Sequence, residues 1–208
     1  MVDNSSQDRS LRLLDQEEVD YVAHAVNTGG SAGVIKTALA YSYDQGYDIY
    51  CHMDGDNQHN AAELHKLVQP IIDGQADIVI GSRFIEKFGF QSLLFRRMGI
   101  FSFSWLISLL AGQKITDLTS GFRAYNSRAI KFFAHHYKHE FEACAQMLLI
   151  AAFAGLRIRE VPVVMKPRLS GKSEFNFFKA VKFPFQSLVS VFGVLTQKKI
   201  IRNSAHAI

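Results

Sequence analysis

Short apolar runs that favour β-strands alternate with longer segments of helical periodicity, and this alternation limits the fold more than any other feature. Strands separated by helices form a mainly parallel sheet with helices on both faces. We therefore predict an α/β fold in which ligands bind beyond the carboxyl ends of the strands. The first half of the chain has β-rich runs at 20–26, 48–53 and 76–82, and helical segments at 32–45 and 61–72.

The second half continues with a long apolar helical segment and then a shorter strand and helix. A chain of 208 residues is expected to fold as one globular domain. Its composition, 48% hydrophobic and 20% charged, excludes a wholly disordered or fibrous protein. The predicted elements are a helix at 91–112, a turn and short strand at 117–125, a helix at 143–155, a strand at 156–164 and a loop at 167–173.

The charge of the chain is unevenly distributed. From Lys166 onward there are eight basic residues and one acid, interleaved with apolar residues, whereas the rest is mildly acidic. This mixture suits an anionic membrane surface better than nucleic acid. We therefore expect a globular domain at 1–170 and a basic amphipathic membrane-surface segment at 171–208. The longest uncharged apolar runs, Met98–Gly112 and Phe183–Gln197, fall short of the ~20 residues of a spanning helix.

The cysteines and the N-terminal sequence indicate a compartment. Cys51 and Cys144 lie in apolar surroundings without the spacing of a metal site, and so are expected to be reduced core residues. The first ten residues lack the basic and apolar segments of an export signal. A reducing cytoplasm is therefore favoured.

The sequence MDGDNQH places two carboxylates two positions apart directly after a β-rich run. Asp54 and Asp56 can share one divalent cation, Gly55 lets the backbone come close, and Gln58 adds an amide oxygen. Oxygen ligands suit Mg²⁺ or Mn²⁺, which keep positions for substrate phosphates. The alternative is a solvated turn, because Asp, Gly and Asn are turn formers.

Six short motifs carry a resemblance to a known family. MDGDNQH is followed in order by IVIGSRF, FRRMG, KITDLTSGFRAYN, IREVPVVM and PRLSGKS. This order resembles the glycosyltransferases of family 2, particularly the polyprenyl-phosphate sugar transferases, from about Val2 to about Pro184. The resemblance implies a GT-A fold that binds a nucleotide-diphosphate sugar at the strand ends through a DxD motif and a metal.

The resemblance also implies roles for residues on the donor side. Asp54 faces the nucleotide, while Asp56 and Gln58 hold the metal on the pyrophosphate. Asp3 and Asn4 correspond to positions that contact the base.

Several arginines are implied to bind phosphates. Arg83 matches an arginine near the donor phosphates, where a guanidinium can bind oxygens bidentately. Arg96 and Arg97 match arginines that receive the acceptor phosphate, and Arg168 matches one that closes over the phosphates from a loop, assisted by Lys172. The alternative for Arg83, Arg96 and Arg97 is a solvated surface side chain.

Asp117 has two competing interpretations. The resemblance places it near the acceptor as a candidate base. Its alternative role is to cap its own turn, with Thr119 and Ser120 as partners. An acceptor phosphate, with a second pKa of ~6, needs little help from a base.

Weaker candidates accompany these. Glu140 and Glu142 are candidates to line the acceptor side or to begin a helix, and the turn from Asn27 to Gly33 is a weak candidate to approach the nucleotide. His52 and His59 show no ligand spacing and are expected to pack or cap.

The chain departs from the family at its beginning. The family starts with a strand and helix that grip the nucleotide, whereas residues 1–8 resemble the end of the family's second strand. We therefore expect an unpaired strand edge in the middle of the sheet. Either the start is truncated or activity is impaired.

The expected function is metal-dependent, inverting transfer of a hexose from a GDP- or UDP-hexose to a polyprenyl phosphate at the cytoplasmic membrane face. One alternative uses a saccharide or protein hydroxyl as acceptor, which requires Asp117 as base. The other is a non-catalytic membrane-associated module.

Overall fold

The computed structural model describes most of the chain. Described are residues 1–28, 30–86, 94–136, 143–167 and 188–205, without the side chains of 94–100 and 143–144. The elements are β1 (Val2–Asp3), α1 (Ser10–Gln16), β2 (Val22–Ala23), α2 (Ser31–Asp44), β3 (Ile49–His52), a 3₁₀ turn (Ala61–Glu63), α3 (Leu64–Ile72), β4 (Ile78–Ser82), α4 (Leu94–Ala111), β5 (Arg123–Asn126), α5 (Ser127–His136), α6 (Ala143–Phe153), β6 (Ile158–Pro162), α7 (188–196) and α8 (Lys198–Ala205).

The predicted alternation of strands and helices is confirmed. The helix expected from Ala32 to Gln45 is α2, and the long apolar segment forms α4. Two helices, α1 and α5, were not predicted. α5 begins directly after β5, so no polar loop separates the strand pattern from the helix pattern.

The main sheet is mainly parallel, as predicted, with one strand reversed: β3, β4 and β6 run in the same direction. Its strand order is β3-β5-β4-β6, with β6 parallel to β4 and β5 antiparallel to both β3 and β4. The reason is that the turn after α4 lies at the carboxyl end of β4, where Asp117 contacts Arg83. β5 therefore starts at that edge and runs back through the sheet.

A second, smaller sheet contains β1 and β2, which pair in parallel. Among the described residues no hydrogen-bonded ladder joins it to β3, although α2 packs against both β1 and β3. An unpaired edge in the middle of the sheet stays a prediction, because β1, β2, β3 and β6 each lie at the edge of a sheet in the described part of the chain.

Both faces of the main sheet are covered by helices. On β4, Ile78 and Ile80 are completely buried in clusters with α2, α5, α6 and α4, whereas Val79 points to the other face, where Leu67 and Ile71 of α3 pack. This alternation follows from the two-residue period of a strand. The core therefore fixes β4 from both sides and presents its carboxyl end at a defined position.

Asp77 joins three strands at the opposite edge of the sheet. Its carboxylate accepts hydrogen bonds from Arg157 N at 2.8 Å and from Asn126 Nδ2 at 2.9 Å, just before β6 and at the end of β5. Burial raises the pKa of Asp77, but the hydrogen bonds from Arg157 and Asn126 outweigh it and hold the pKa below its ordinary value.

We expect Asp77→Ala to lower the free energy of unfolding by ~2–3 kcal/mol at neutral pH, because it leaves buried donors unpaired. A carboxyl group with a lowered folded pKa stabilises the fold above its unfolded pKa of ~3.9, and this stabilisation is lost as the pH falls through the folded pKa. The difference in the free energy of unfolding between Asp77→Ala and the parent, measured by urea titration, should therefore shrink below about pH 4. Asp73→Ala, at an exposed carboxylate bonded to Gln69, is the control and should cost under ~0.5 kcal/mol. A difference that does not change with pH would contradict this assignment.

Candidate active site

Three segments meet at the carboxyl ends of β3 and β4. They are the loop 54–59 after β3, Arg83 after β4, and the turn 117–121 before β5. The Ser120 hydroxyl donates to Gly81 O at 2.6 Å, which fixes the turn on β4. At Gly121 a Cβ would lie 2.4 Å from Asp54 Oδ2, so the same turn also touches the first carboxylate. Antiparallel β5 thus brings the loop 54–59, called the DGD loop below, and Arg83 to one edge of the sheet.

Asp54 lies between two buried imidazoles. Its Oδ1 is 3.4 Å from His52 Nε2 and its Oδ2 is 3.4 Å from His59 Nε2, while about half of its side chain is exposed. His52 is oriented from behind, since its Nδ1 lies 2.8 Å from the Tyr50 hydroxyl. Contact with His52, and then with His59, holds the pKa of Asp54 well below its ordinary value.

The rest of the loop is shaped by its own backbone. Asp56 Oδ1 accepts from Gln58 N at 3.1 Å, and Asn57 between them has φ of 61°. Gln58 is further tied to the chain that follows β6: Lys166 N donates to Gln58 O at 2.9 Å, and Gln58 Nε2 donates to Lys166 O at 3.4 Å. The loop is therefore fastened at the sheet edge.

These side chains fit a hard divalent cation. Asp54 and Asp56 offer carboxylate oxygens. Gln58 Nε2 donates to Lys166 O, so the side-chain oxygen of Gln58 is the atom that could bind a cation. Within the described ranges, no group of three or more His, Cys, Asp or Glu side chains has metal-binding geometry. A set of two carboxylates and one amide is nevertheless sufficient for Mg²⁺ or Mn²⁺, whose other ligands are water and phosphate.

Arg83 and Asp117 form a buried bidentate pair. Arg83 Nε and Nη2 donate to the two carboxylate oxygens of Asp117 at 2.7 and 2.6 Å, and Arg83 N donates at 3.1 Å. Nη2 also donates to the Thr119 hydroxyl at 2.5 Å. The Asp117 side chain is completely buried and that of Arg83 is 18% exposed. The Nε–Nη2 edge of the guanidinium is thus engaged inside the protein.

Of the two interpretations of Asp117, the geometry favours the structural one. Thr119 Oγ1 donates to Asp117 Oδ1 at 3.1 Å, as expected for a capped turn. The prediction that Ser120 is a second partner of this carboxylate is wrong. The Ser120 hydroxyl donates to Gly81 O, and the Ser120 N–H donates to the main-chain oxygen of Asp117.

Glu160 is a site residue that sequence reasoning missed. On β6, its carboxylate accepts from Thr116 N at 2.9 Å, Asp117 N at 2.8 Å and Thr116 Oγ1 at 2.7 Å. Burial raises its pKa against the opposing effect of these bonds. The available signal was its position near the end of a β-strand, in IREVPVV.

The imidazoles of His52 and His59 were expected only to pack or cap. Both are buried, and the His59 ring packs 5.0 Å from that of Phe122, as expected. In addition, they contact the first carboxylate of the DGD loop. The two-residue period of an extended chain places His52 and Asp54 on one side, which is the signal that could have indicated this contact.

The small sheet occupies its polar groups internally. Asp3 Oδ2 accepts from Ser6 N, and Asn4 Oδ1 accepts from Thr28 N and Oγ1 while Nδ2 donates to Gly30 O. The glycine-rich turn has a steric reason as well, since a Cβ at Gly33 would lie 2.1 Å from Thr28 Oγ1. Asn4 therefore links β1 to this turn through hydrogen bonds. Contact of Asp3 and Asn4 with the nucleotide base stays a prediction.

Other predicted residues cannot be placed at the site. The backbone of Arg96 and Arg97 lies in the first turn of α4, and their side chains are outside the described part of the chain. Arg168, Lys172, Glu140 and Glu142 also lie outside the described residues.

A sheet that collects acidic oxygens and a buried arginine beyond its strand ends defines the class of nucleotide-sugar transferases with a GT-A fold. The sequence model for glycosyl transferase family 2 matches residues 1–134. The chain belongs to this family, and it is a glycosyltransferase.

Curated relatives are similar over most of their length. The UDP-N-acetylglucosamine–dolichyl-phosphate N-acetylglucosaminyltransferase of Methanococcus voltae is 30% identical over 182 residues, covering 78% of this chain and 72% of that protein. The undecaprenyl-phosphate mannosyltransferase of Micrococcus luteus is 30% identical over 188 residues, covering 85% of this chain and 74% of the relative.

A solved structure confirms the fold. Glucosyl-3-phosphoglycerate synthase from Mycobacterium tuberculosis, in complex with Mn²⁺ and UDP-glucose, superposes with a TM-score of 0.62 at 16% identity. The match covers 92% of this chain and 66% of that one.

The membrane-surface role stays a prediction. None of the helices in the described stretches combines the length and apolarity that crossing a bilayer requires. The division into residues 1–170 and 171–208 stays a prediction.

We expect Gly121→Ala to displace the Asp54 carboxylate, because the new methyl group needs the space of Oδ2. Calorimetric titration with Mn²⁺ and UDP or GDP should show affinity weakened ~10-fold or more, the usual cost of disturbing the support of a metal ligand. Gly193→Ala on α7, where nothing lies within 4 Å of the added carbon, should bind as the parent does. Unchanged affinity in Gly121→Ala would show that Asp54 takes no part in binding.

Proposed function

We propose that this chain transfers a hexose, with inversion, from a nucleotide-diphosphate sugar to the phosphate of a polyprenyl phosphate, using Mg²⁺ or Mn²⁺ at a membrane surface. The observation that carries the proposal is the turn 117–121, which joins the Asp54 carboxylate to Arg83 at one edge of the sheet. The donor and the acceptor both carry negative charge, so the site that binds them needs side chains that hold a cation or are themselves positively charged.

The donor side rests on the DGD loop. Asp54, Asp56 and Gln58 would hold the cation, and a structural neighbour whose complex contains Mn²⁺ and UDP-glucose supports this. When bound, a divalent cation supplies charge neutralisation at the departing nucleoside diphosphate. The chain's own contribution is to hold the Asp54 carboxylate between His52 and His59.

Arg83 adds positive charge to the donor phosphates. Since Asp117 and Thr119 engage Nε and Nη2, a phosphate would share the guanidinium with these partners or replace one of them. Arg168 and Lys172 would close over the phosphates from the other side, and Lys166 ties the chain that leads to them to Gln58.

The acceptor is proposed to be a phosphate rather than a hydroxyl. A hydroxyl acceptor needs a general base, and the base that the sequence proposes is Asp117, whose two oxygens accept from Arg83 and Thr119. A phosphate is already a nucleophile at neutral pH. The names of the relatives, which act on dolichyl or undecaprenyl phosphate, support the same conclusion.

An apolar surface begins beside Arg83 and suits the acceptor's lipid chain. The Arg83 guanidinium lies 5.3 Å from the centre of the Phe84 ring, which lies 5.0 Å from that of Phe101. Phe101, Trp105 and Leu109 follow at intervals of four along α4, and Trp105 and Leu109 are 68% and 65% exposed. These residues form one stripe of the helix.

A second exposed apolar stripe lies on α7. Leu188, Phe192 and Leu195 are exposed, while Val191 and Val194 are buried in the same cluster as Ile107 of α4. The basic residues Lys198, Lys199 and Arg202 follow in α8. Apolar stripes next to bases favour an anionic bilayer surface, here proposed to be the cytoplasmic face.

The central test is an assay with purified protein, Mn²⁺, labelled UDP- and GDP-hexoses and polyprenyl phosphate. We expect a labelled lipid-linked sugar, lost in Asp56→Asn and kept in Asp73→Asn, an exposed carboxylate away from the site. If no donor yields product while Mn²⁺-dependent nucleotide binding persists, the lipid acceptor is wrong. If nucleotide binding is absent too, the chain is a non-catalytic module.

Asp117→Asn separates the two acceptor classes in the same assay. With a phosphate acceptor, asparagine still accepts from Arg83, so turnover should fall less than the ~10²–10⁴-fold that removal of a general base costs. Turnover abolished at every pH, in a variant that still binds the nucleotide, would favour a hydroxyl acceptor.

We expect Trp105→Glu combined with Phe192→Glu to lower partitioning onto phosphatidylserine-containing vesicles by at least ~10-fold, because two exposed rings can no longer enter the interface. Both side chains are 68% exposed, so the fold should persist. Tyr47→Glu, at an aromatic 54% exposed outside these helices, is the matched control. Equal sedimentation of all three proteins with vesicles would contradict a membrane role for α4 and α7.

A further inference from the structure

Glu160 stands behind the Arg83–Asp117 pair without touching Arg83 in any described hydrogen bond. Its carboxylate holds the backbone N–H groups of Thr116 and Asp117 and the Thr116 hydroxyl, at 2.7–2.9 Å for the shortest contact of each. The Thr116 hydroxyl in turn lies 3.0 Å from Ser82 Oγ, at the end of β4. One side chain of β6 therefore anchors the start of the turn that follows α4.

The anchored backbone determines where the Asp117 carboxylate lies. Asp117 is completely buried and its side chain is short, so its two oxygens follow the position of its own main chain. Those oxygens hold Nε and Nη2 of Arg83. Three successive contacts result: Glu160 holds the backbone of 116–117, this backbone positions the Asp117 carboxylate, and the carboxylate holds the Arg83 guanidinium.

We propose, resting on the proposed function, that Glu160 is a positioning residue that sets the Arg83 guanidinium for the phosphates of the nucleotide sugar. Three hydrogen bonds from one carboxylate hold the turn more tightly than solvent could, since an N–H without this partner would bind mobile water. Small displacements matter, because a shift of ~1 Å at a phosphate-binding group costs up to ~100-fold in rate.

The variants differ in what they leave of this anchor. Glu160→Gln keeps a side-chain oxygen for the Thr116 and Asp117 N–H groups, whereas Glu160→Ala removes every acceptor. Asp77→Ala is the matched control, because it removes a carboxylate that also accepts a backbone N–H but lies at the opposite edge of the sheet.

The first readout is the affinity for UDP or GDP with Mn²⁺. We expect Glu160→Ala to weaken it ~10-fold, with Glu160→Gln and Asp77→Ala within ~2-fold of the parent. In an Arg83→Lys background, which keeps a cation beside Asp117, Glu160→Ala should have little further effect, since positioning through Arg83 predicts non-additivity. An equal loss in both backgrounds, or a loss in Asp77→Ala as large as in Glu160→Ala, would overturn the proposal.

The second readout does not depend on nucleotide binding. In a proton–nitrogen correlation spectrum, the Arg83 Nε–H signal is assigned by its absence in Arg83→Lys. It should exchange slowly with solvent in the parent and in Glu160→Gln, and fast in Glu160→Ala. Slow exchange in all three proteins would refute the positioning role. Loss of protection in Glu160→Ala, in a chain that binds no nucleotide, would keep the positioning role and refute the proposed function instead.

Discussion

The ion pair between Arg83 and Asp117 is the contact on which the rest of the site depends. It joins the carboxyl end of β4 to the turn that begins β5, and it is almost removed from water. Burying two charges costs several kcal/mol per ion before their attraction is counted, and removal of one partner typically costs ~3–5 kcal/mol. Here the cost is offset by three hydrogen bonds from Arg83 to one carboxylate and by the Thr119 hydroxyl, while Glu160 holds the backbone of the turn. The pair thus fixes geometry more than it adds stability.

The position of this pair explains why β5 is antiparallel. A chain that stayed with a parallel arrangement would have to cross back to the amino edge of the sheet after α4. The turn at Asp117 instead remains at the carboxyl edge, and β5 is inserted between β3 and β4 from there. The insertion has a functional consequence, because it places Gly121 against Asp54 and Thr119 against Arg83. One local reversal assembles a site whose parts are separated by more than sixty residues in the sequence.

The sequence was sufficient for the periodic and local features. Strands β3 and β4, helices α2, α3 and α4, the DGD loop and the family all follow from spacing and motif order, since each depends on neighbouring residues. What could not be predicted are contacts across long separations. Arg83 and Asp117 are 34 positions apart, and Glu160 is 43 positions from Asp117. No period of 2 or 3.6 residues encodes such pairs, so Asp117 remained open between a base and a turn cap, and Glu160 was missed.

The two carboxylates of the DGD loop bear differently on the alternatives of a cation site and an ordinary turn. Asp56 does what a turn residue does, because it accepts the N–H two positions later. Asp54 does not: its described partners are two imidazoles, and its side chain is about half exposed. These imidazoles favour its charged form and hold it in place. A carboxylate that is kept charged, held by side chains and open to solvent on one side has the properties of a cation ligand, and a turn gains nothing from them.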